Sequence, residues 1–312
     1  MGFAGERAGR RFEGFDDLHA WSVDDLGGFW SAVWDFCGVI GDKGERVLAD
    51  ADKMPGASFF PDARLNYAEN LLRRNDDGDA IVFWGEDKVR RRMSWRELND
   101  LVSKMQQALA AAGVGVGDRV AAMMPNMPEA TALMLATASL GATFSSCSPD
   151  FGERGVLDRF GQIEPKVFVS CDGYWYNGKQ IAVADKLAAI EAQMPSAEQL
   201  WIVSYLERAE DVAGGLKRAK PLDAVLAGFD AKPVTYERLP FNHPLYILFS
   251  SGTTGVPKCI VHSAGGTLLM HLKEQRLHSD VKPGDRVFYF STCGWMMWNW
   301  LMSALASEAM LL

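Results

Sequence analysis

Positive charge is in short supply in this 312-residue chain. Its 32 Lys and Arg face 40 Asp and Glu, a formal net charge of −8, the wrong balance for a surface that grips a nucleic-acid backbone. Cysteine is sparse as well. Cys37, Cys147, Cys171, Cys259 and Cys293 are odd in number and far apart, and none is spaced as a Cys-x-x-Cys pair, so neither a zinc site nor a disulfide framework is expected and a reducing cytoplasm fits best. Long apolar runs are missing too: Ala130 to Phe144 falls short of the ~20 residues that span a bilayer and reads as a buried helix and strand. Arg7, Arg10 and Arg11 have no apolar run behind them, so no secretory signal is expected. What remains is the composition of a soluble globular protein, 48% hydrophobic and 23% charged, long enough for about two domains.

Along the chain, Ser22 and Asp25 suggest a capping box for an amphipathic helix over 23–37, with Phe29, Trp30, Val33 and Trp34 on its apolar face. Residues 80–93 read as a hairpin turning at Gly85 to Lys88. Ser94 and Glu97 then cap a helix whose Leu98, Leu101, Val102, Met105 and Leu109 share one face and whose stop is Gly113. Strands at 119–124, 142–146, 166–170 and 200–204 alternate with helices at 128–140, 154–162 and about 180–193, the pattern of βαβ units and a mainly parallel sheet. The charged, proline-containing segment 206–240 reads as a connection. A second α/β half begins at Leu245, and Gly284-Asp285-Arg286-Val287 repeats the Gly117-Asp118-Arg119-Val120 device that opens a strand in the first.

The chemistry concentrates in YILFSSGTTGVPKCIVH, Tyr246 to His262. Gly252 and Gly255 let backbone N–H groups turn toward an anion; Ser250, Ser251, Thr253 and Thr254 add hydroxyl donors; Lys258 supplies a point charge for outer phosphates. A Walker A loop is excluded, because Pro257 precedes the lysine and β-favouring residues follow it where that motif needs Gly-Lys-Ser/Thr and a helix. The loop therefore joins two strands and makes a P-loop hydrolase a poor reading.

SSGTTGVPK resembles the signature loop of the adenylate-forming enzymes, the superfamily that includes the acyl-CoA synthetases. WSVDDLGGFWSAVWDF at 21–36 and FFPDARLNYAENLL at 59–72 are similar to an N-terminal segment of its short-chain branch, whose acids are acetate and acetoacetate. MSWRELND at 93–100 and LGATFSSCSPDFG at 140–152 resemble further family motifs, and FSTCGWMMWNW at 290–300 resembles the acyl-pocket region of the acetoacetate-using members. The resemblance implies an α/β fold with an N-terminal helical extension at 1–78, a first α/β subdomain at 79–205, the connection at 206–240 and the start of a second subdomain at 241–312. It implies ATP, Mg and coenzyme A as reactants with a small carboxylic acid. Lys258 and Thr253 would be catalytic. Ser250, Ser251, Gly252, Thr254 and Gly255 would join them on the phosphates, with Mg near Thr253. Lys179 would touch coenzyme A phosphates, and Trp295 and Trp298 would shorten the acid pocket. Cys259 stands where many members have Gly and is expected as a packed thiol. The resemblance further implies an adenine motif, a ribose-binding aspartate, a β-barrel and a lid domain after these residues, so an N-terminal portion without full activity, or a remnant that only binds nucleotide, is expected.

Overall fold

Ser94 accepts a hydrogen bond from the backbone N–H of Glu97 (3.2 Å) while the Glu97 carboxylate accepts one from Ser94 N (2.7 Å), and from this reciprocal cap the longest helix runs. The computed structural model describes residues 1–250 and 255–312. The elements that matter for the site are, in chain order, α1 (Phe15–Asp24), α2 (Leu26–Phe36), β1 (Asp79–Gly85), β2 (Val89–Ser94), α3 (Trp95–Ala111), β3 (Arg119–Met123), α4 (Pro128–Ser139), β4 (Thr143–Cys147), α5 (Glu153–Ile163), β5 (Val167–Cys171), β6 (Gly173–Tyr176), β7 (Lys179–Ala182), α6 (Ala184–Gln193), β8 (Gln199–Val203), α7 (Ala209–Gly214), β9 (Ala219–Pro221), β10 (Pro244–Ser250), β11 (Lys258–Ser263), α8 (Ala264–Lys273), β12 (Arg286–Val287), α9 (Met296–Met302) and β13 (Met310–Leu311).

Among the described residues the largest sheet has seven strands in the order β9-β8-β5-β3-β4-β10-β11. All neighbours are parallel except the last pair, where β11 returns antiparallel to β10. The α/β fold expected from strand–helix alternation is the fold observed. Val120, Ala121, Ala122 and Met123 of β3 and Val167, Phe168 and Val169 of β5 are buried because helices cover both faces. Every residue of α4 except Glu129 is buried, with Pro128 at its first turn where a missing N–H costs nothing.

A second, four-stranded sheet has the order β12-β13-β1-β2. It cuts across the expected boundaries: the hairpin β1–β2, read as part of the first subdomain, pairs with β13 from the chain's far end, while β10 and β11, read as opening the second, complete the first sheet. The "connection" also departs from expectation, since it contains α7 and contributes β9, an edge strand parallel to β8. Its weak patterning follows from lying at that edge, where one side faces water.

The two Gly-Asp-Arg-Val devices have matching geometry. Gly117 N donates to Gly141 O (3.1 Å) and Gly284 N to Glu308 O (3.0 Å); Thr143 N donates to Asp118 O (2.7 Å) and Met310 N to Asp285 O (2.8 Å). Each aspartate carboxylate also receives an upstream backbone N–H, from Gly115 (2.9 Å) and Lys282 (2.8 Å). The glycines sit at φ 83° and 86°, a left-handed conformation costly for other residues. Each device thus starts a strand that pairs in parallel with the strand after the next helix, one construction used twice.

Two local expectations are corrected. The helix over 23–37 breaks at Asp25, whose carboxylate caps α2 through Gly28 N (2.8 Å), while the Ser22 hydroxyl donates back to His19 O (2.7 Å). The helix expected from about 180 starts at Ala184, because Asn177 and Gly178, at φ 50° and 73°, turn the hairpin β6–β7. Among the described residues no helix is long and apolar enough to cross a membrane.

Candidate functional site

In a parallel sheet with crossover helices, ligands collect at the carboxyl ends of the strands. Here that edge carries the turns after β3 (Met124 to Met127), β4 (Ser148 to Phe151) and β5 (from Asp172), together with the loop that leaves β10. Asp172 fastens part of it: its carboxylate accepts N–H bonds from Tyr205 (2.9 Å), Leu206 (2.8 Å) and Arg208 (2.7 Å), which ties the end of β5 to the end of β8.

Ser250 and Lys258 are the last paired residues of the β10–β11 ladder and stand opposite each other. The sequence between them is the phosphate-loop string, so both flanks are held at one point of the sheet edge. Ser251, Gly252, Thr253 and Thr254 lie outside the described residues. Gly255 has φ 149°, in the region glycine alone enters readily, and Lys258 is exposed at the start of β11. Helix α5 supports this unit from below. Gln162 Nε2 donates to Pro257 O (2.9 Å); the Arg159 guanidinium lies 5.8 Å from the Phe249 ring centre and 4.5 Å from that of Phe151; Phe160 meets Phe249 edge-on at 6.3 Å. Cys259 is exposed rather than packed, because β11 is the sheet's edge, and partial burial raises its thiol pKa, the opposite of an activated thiolate.

Lys179 opens β7 opposite Tyr176 in the hairpin that follows β5, and is exposed. The Glu86 carboxylate, from the β1–β2 turn, accepts both N–H groups of the turn beside it, Asn177 (2.6 Å) and Gly178 (2.8 Å).

The two tryptophans expected in the acid pocket are separated by environment. Trp295 precedes α9 and is 67% exposed, whereas Trp298, one turn on, is 0% exposed. Trp298 packs against Phe144 at 6.2 Å and donates its indole N–H to Asn126 Oδ1 (2.9 Å), so it is a core side chain with no face on an open pocket. The segment around it is sewn to the same strand ends: Ser146 Oγ donates to Cys293 O (2.7 Å), and Cys293 Sγ approaches Pro125 O at 3.4 Å. Gln162, Arg159 and Asn126 carry no motif and were missed from sequence; the rule that loops after parallel strands hold ligands would have singled out Asn126.

Among the described residues no three His, Cys, Asp or Glu side chains gather as a metal cage. At the carboxyl edge of a doubly covered sheet, the exposed Lys258 stands opposite Ser250, an arrangement able to receive an anion. The family model described as AMP-binding enzyme matches residues 69–311. This chain belongs to the AMP-binding enzyme family. A second model, the acetyl-coenzyme A synthetase N-terminus, matches residues 15–71 of this AMP-binding enzyme. Similar proteins include the acetoacetyl-coenzyme A synthetase of Rhizobium meliloti (strain 1021), 61% identical over 309 residues, 99% of this chain and 47% of the relative. A malonamoyl-CoA synthetase from Penicillium aethiopicum is 40% identical over 95% of this chain and 43% of its own length. The solved acetoacetyl-CoA synthetase from Streptomyces lividans superposes with a TM-score of 0.90 at 41% identity, over 99% of this chain and 48% of that one. The chain spans about half the length of the curated relatives it matches.

Proposed function

We propose that these residues serve an AMP-forming acid–CoA ligase whose acid is short, acetoacetate first among the candidates. The observation that carries this reading is the pairing of Ser250 with Lys258 across the phosphate-loop string, inside the region matched by the AMP-binding enzyme model. The acid's carboxylate oxygen attacks the α-phosphorus of MgATP, pyrophosphate leaves, and an acyl-adenylate forms. The coenzyme A thiolate then attacks the acyl carbon and AMP departs. Nucleophile and triphosphate are both anionic, so catalysis rests on neutralising charge and holding the reactants in line. Lys258 and the hydroxyls and N–H groups of Ser250, Ser251, Gly252, Thr253, Thr254 and Gly255 would take the β- and γ-phosphates, and Thr253 would help hold the magnesium that accompanies them and offsets their charge. Lys179 reaches the phosphates of coenzyme A. Trp295 walls the acid pocket, with Trp298 packed behind it. The five free thiols suit a reducing cytoplasm.

Acetoacetate leads because the Rhizobium meliloti relative carries that activity in its name; malonamate is the competitor from the Penicillium aethiopicum relative. The test is a chimera in which these 312 residues replace the matching segment of the Rhizobium meliloti protein. AMP formation that needs ATP, coenzyme A and acetoacetate is expected. A folded chimera that forms AMP with none of acetate, acetoacetate or malonamate would overturn the reading.

A further inference from the structure

We propose that Asn126 is a positioning residue for acid selectivity, acting through Trp298 on the exposed wall formed by Trp295; this deepens the ligase reading and rests on it. Asn126 lies in the turn between β3 and α4, at the sheet edge where the phosphate loop emerges. Its Oδ1 accepts the buried indole N–H of Trp298 at 2.9 Å, and Trp298, at 0% exposure, has no water to offer that N–H instead. The same short segment is pinned twice more to this edge, by Ser146 at Cys293 O and by Cys293 at Pro125 O. A Cβ on Gly294 would lie 3.2 Å from the Phe151 ring and 3.6 Å from Ser148 N, so the backbone has little room to slide sideways. Trp298 N donates to Trp295 O (3.0 Å), which passes the position of the buried indole to the first turn of α9. That turn presents Trp295, Met296 and Met297, the first two substantially exposed. Asn126 therefore fixes where a wall of the acid pocket stands, without touching the acid.

Pocket depth decides chain length, and one methylene in an apolar pocket is worth roughly tenfold or more in selectivity. The experiment measures acid-dependent pyrophosphate exchange in the chimera with acetoacetate and with 3-oxohexanoate, for wild type, Asn126→Leu, Asn126→Asp, Trp298→Phe and the Asn126→Leu/Trp298→Phe double variant. Asn126→Leu keeps the branched shape and the number of side-chain heavy atoms, at a somewhat larger volume, and removes the acceptor; Trp298→Phe removes the donor from the other side. Each is expected to shift the kcat/KM ratio between the two acids by roughly tenfold, through KM for the acid, with KM for ATP within about twofold. Asn126→Asp retains an acceptor and should keep the wild-type ratio, and the double variant should shift no further than either single one. An unchanged ratio in Asn126→Leu, or in Trp298→Phe where Asn126→Leu does not fold, would overturn the inference while leaving the ligase reading intact. A wild-type chimera that folds and exchanges with no acid would overturn the ligase reading and this inference with it.

Discussion

Strands β3 (RVAAM) and β11 (KCIVHS) belong to one sheet and each opens on a cation followed by three apolar residues, yet their surroundings are opposite. β3 lies between parallel neighbours β4 and β5 with helices on both faces, and Val120, Ala121, Ala122 and Met123 are sealed from water. β11, which carries Lys258, pairs with β10 alone among the described residues, and its Ile260 and Val261 remain 45% and 56% exposed. Burial fixes the first strand from all sides, while the second is fixed by one antiparallel ladder and by the grip of α5 on Phe249 and Pro257. The stability of the fold is therefore concentrated in strands that do no chemistry. The groups proposed to do chemistry sit on its least covered flank, where a phosphate can reach them.

Substitutions can sharpen this contrast. The largest effect is expected inside the sheet: Phe168→Ala on β5, which deletes a buried ring in contact with Phe160 at 5.9 Å, should cost about 3–5 kcal/mol in urea unfolding. A loss under about 1 kcal/mol would mean the interior repacks freely.

Next comes a polar junction behind the site. His271 of α8 is buried, with Nδ1 2.7 Å from Ser303 Oγ, which also lies 2.5 Å from the Tyr67 hydroxyl. Burial, with a smaller push from His262, holds its pKa down to about 4 against a usual 6.5. The unfolded chain therefore binds this proton first on acidification, so stability is full above pH 6.5 and falls as pH drops toward 4. The loss should reach about 3 kcal/mol, and His271→Gln should flatten the profile of Tm against pH between 7.5 and 4.5. Equal slopes in variant and wild type would remove His271 as its source. The smallest effect is expected on the exposed flank: Ile260→Thr should change stability by less than about 0.5 kcal/mol, and a loss above about 2 kcal/mol would show that this flank is covered in solution.

Local signals were the legible ones. The Ser94/Glu97 capping box fixed where α3 starts, the strand–helix alternation fixed the fold class, and the strand signals on either side of SSGTTGVPK fixed the pairing of β10 with β11, because in each case the cause lies within a few neighbouring residues. The break at Asp25 was missed because one carboxylate cap outweighs a continuous apolar stripe, and β6–β7 because the Asn177-Gly178 turn signal was passed over. Strand order was not legible: β1 meeting β13, or β10 and β11 closing the first sheet, depends on partners far apart in the chain. The same is true of the site's supports. Trp298 looks identical in sequence whether it floors a pocket or packs on Phe144, and only its bond to Asn126 and its lack of exposure place it in the core.

Lys258, held opposite Ser250 at the sheet's open flank, is proposed to neutralise the triphosphate during adenylation. Acid-dependent pyrophosphate exchange in the chimera, compared between wild type and Lys258→Ala, tests it directly. A fall of roughly 30- to 700-fold is expected, the equivalent of losing about 2–4 kcal/mol of transition-state stabilisation, with thermal stability unchanged because the side chain is exposed. Exchange within about threefold of wild type in the folded variant would contradict it.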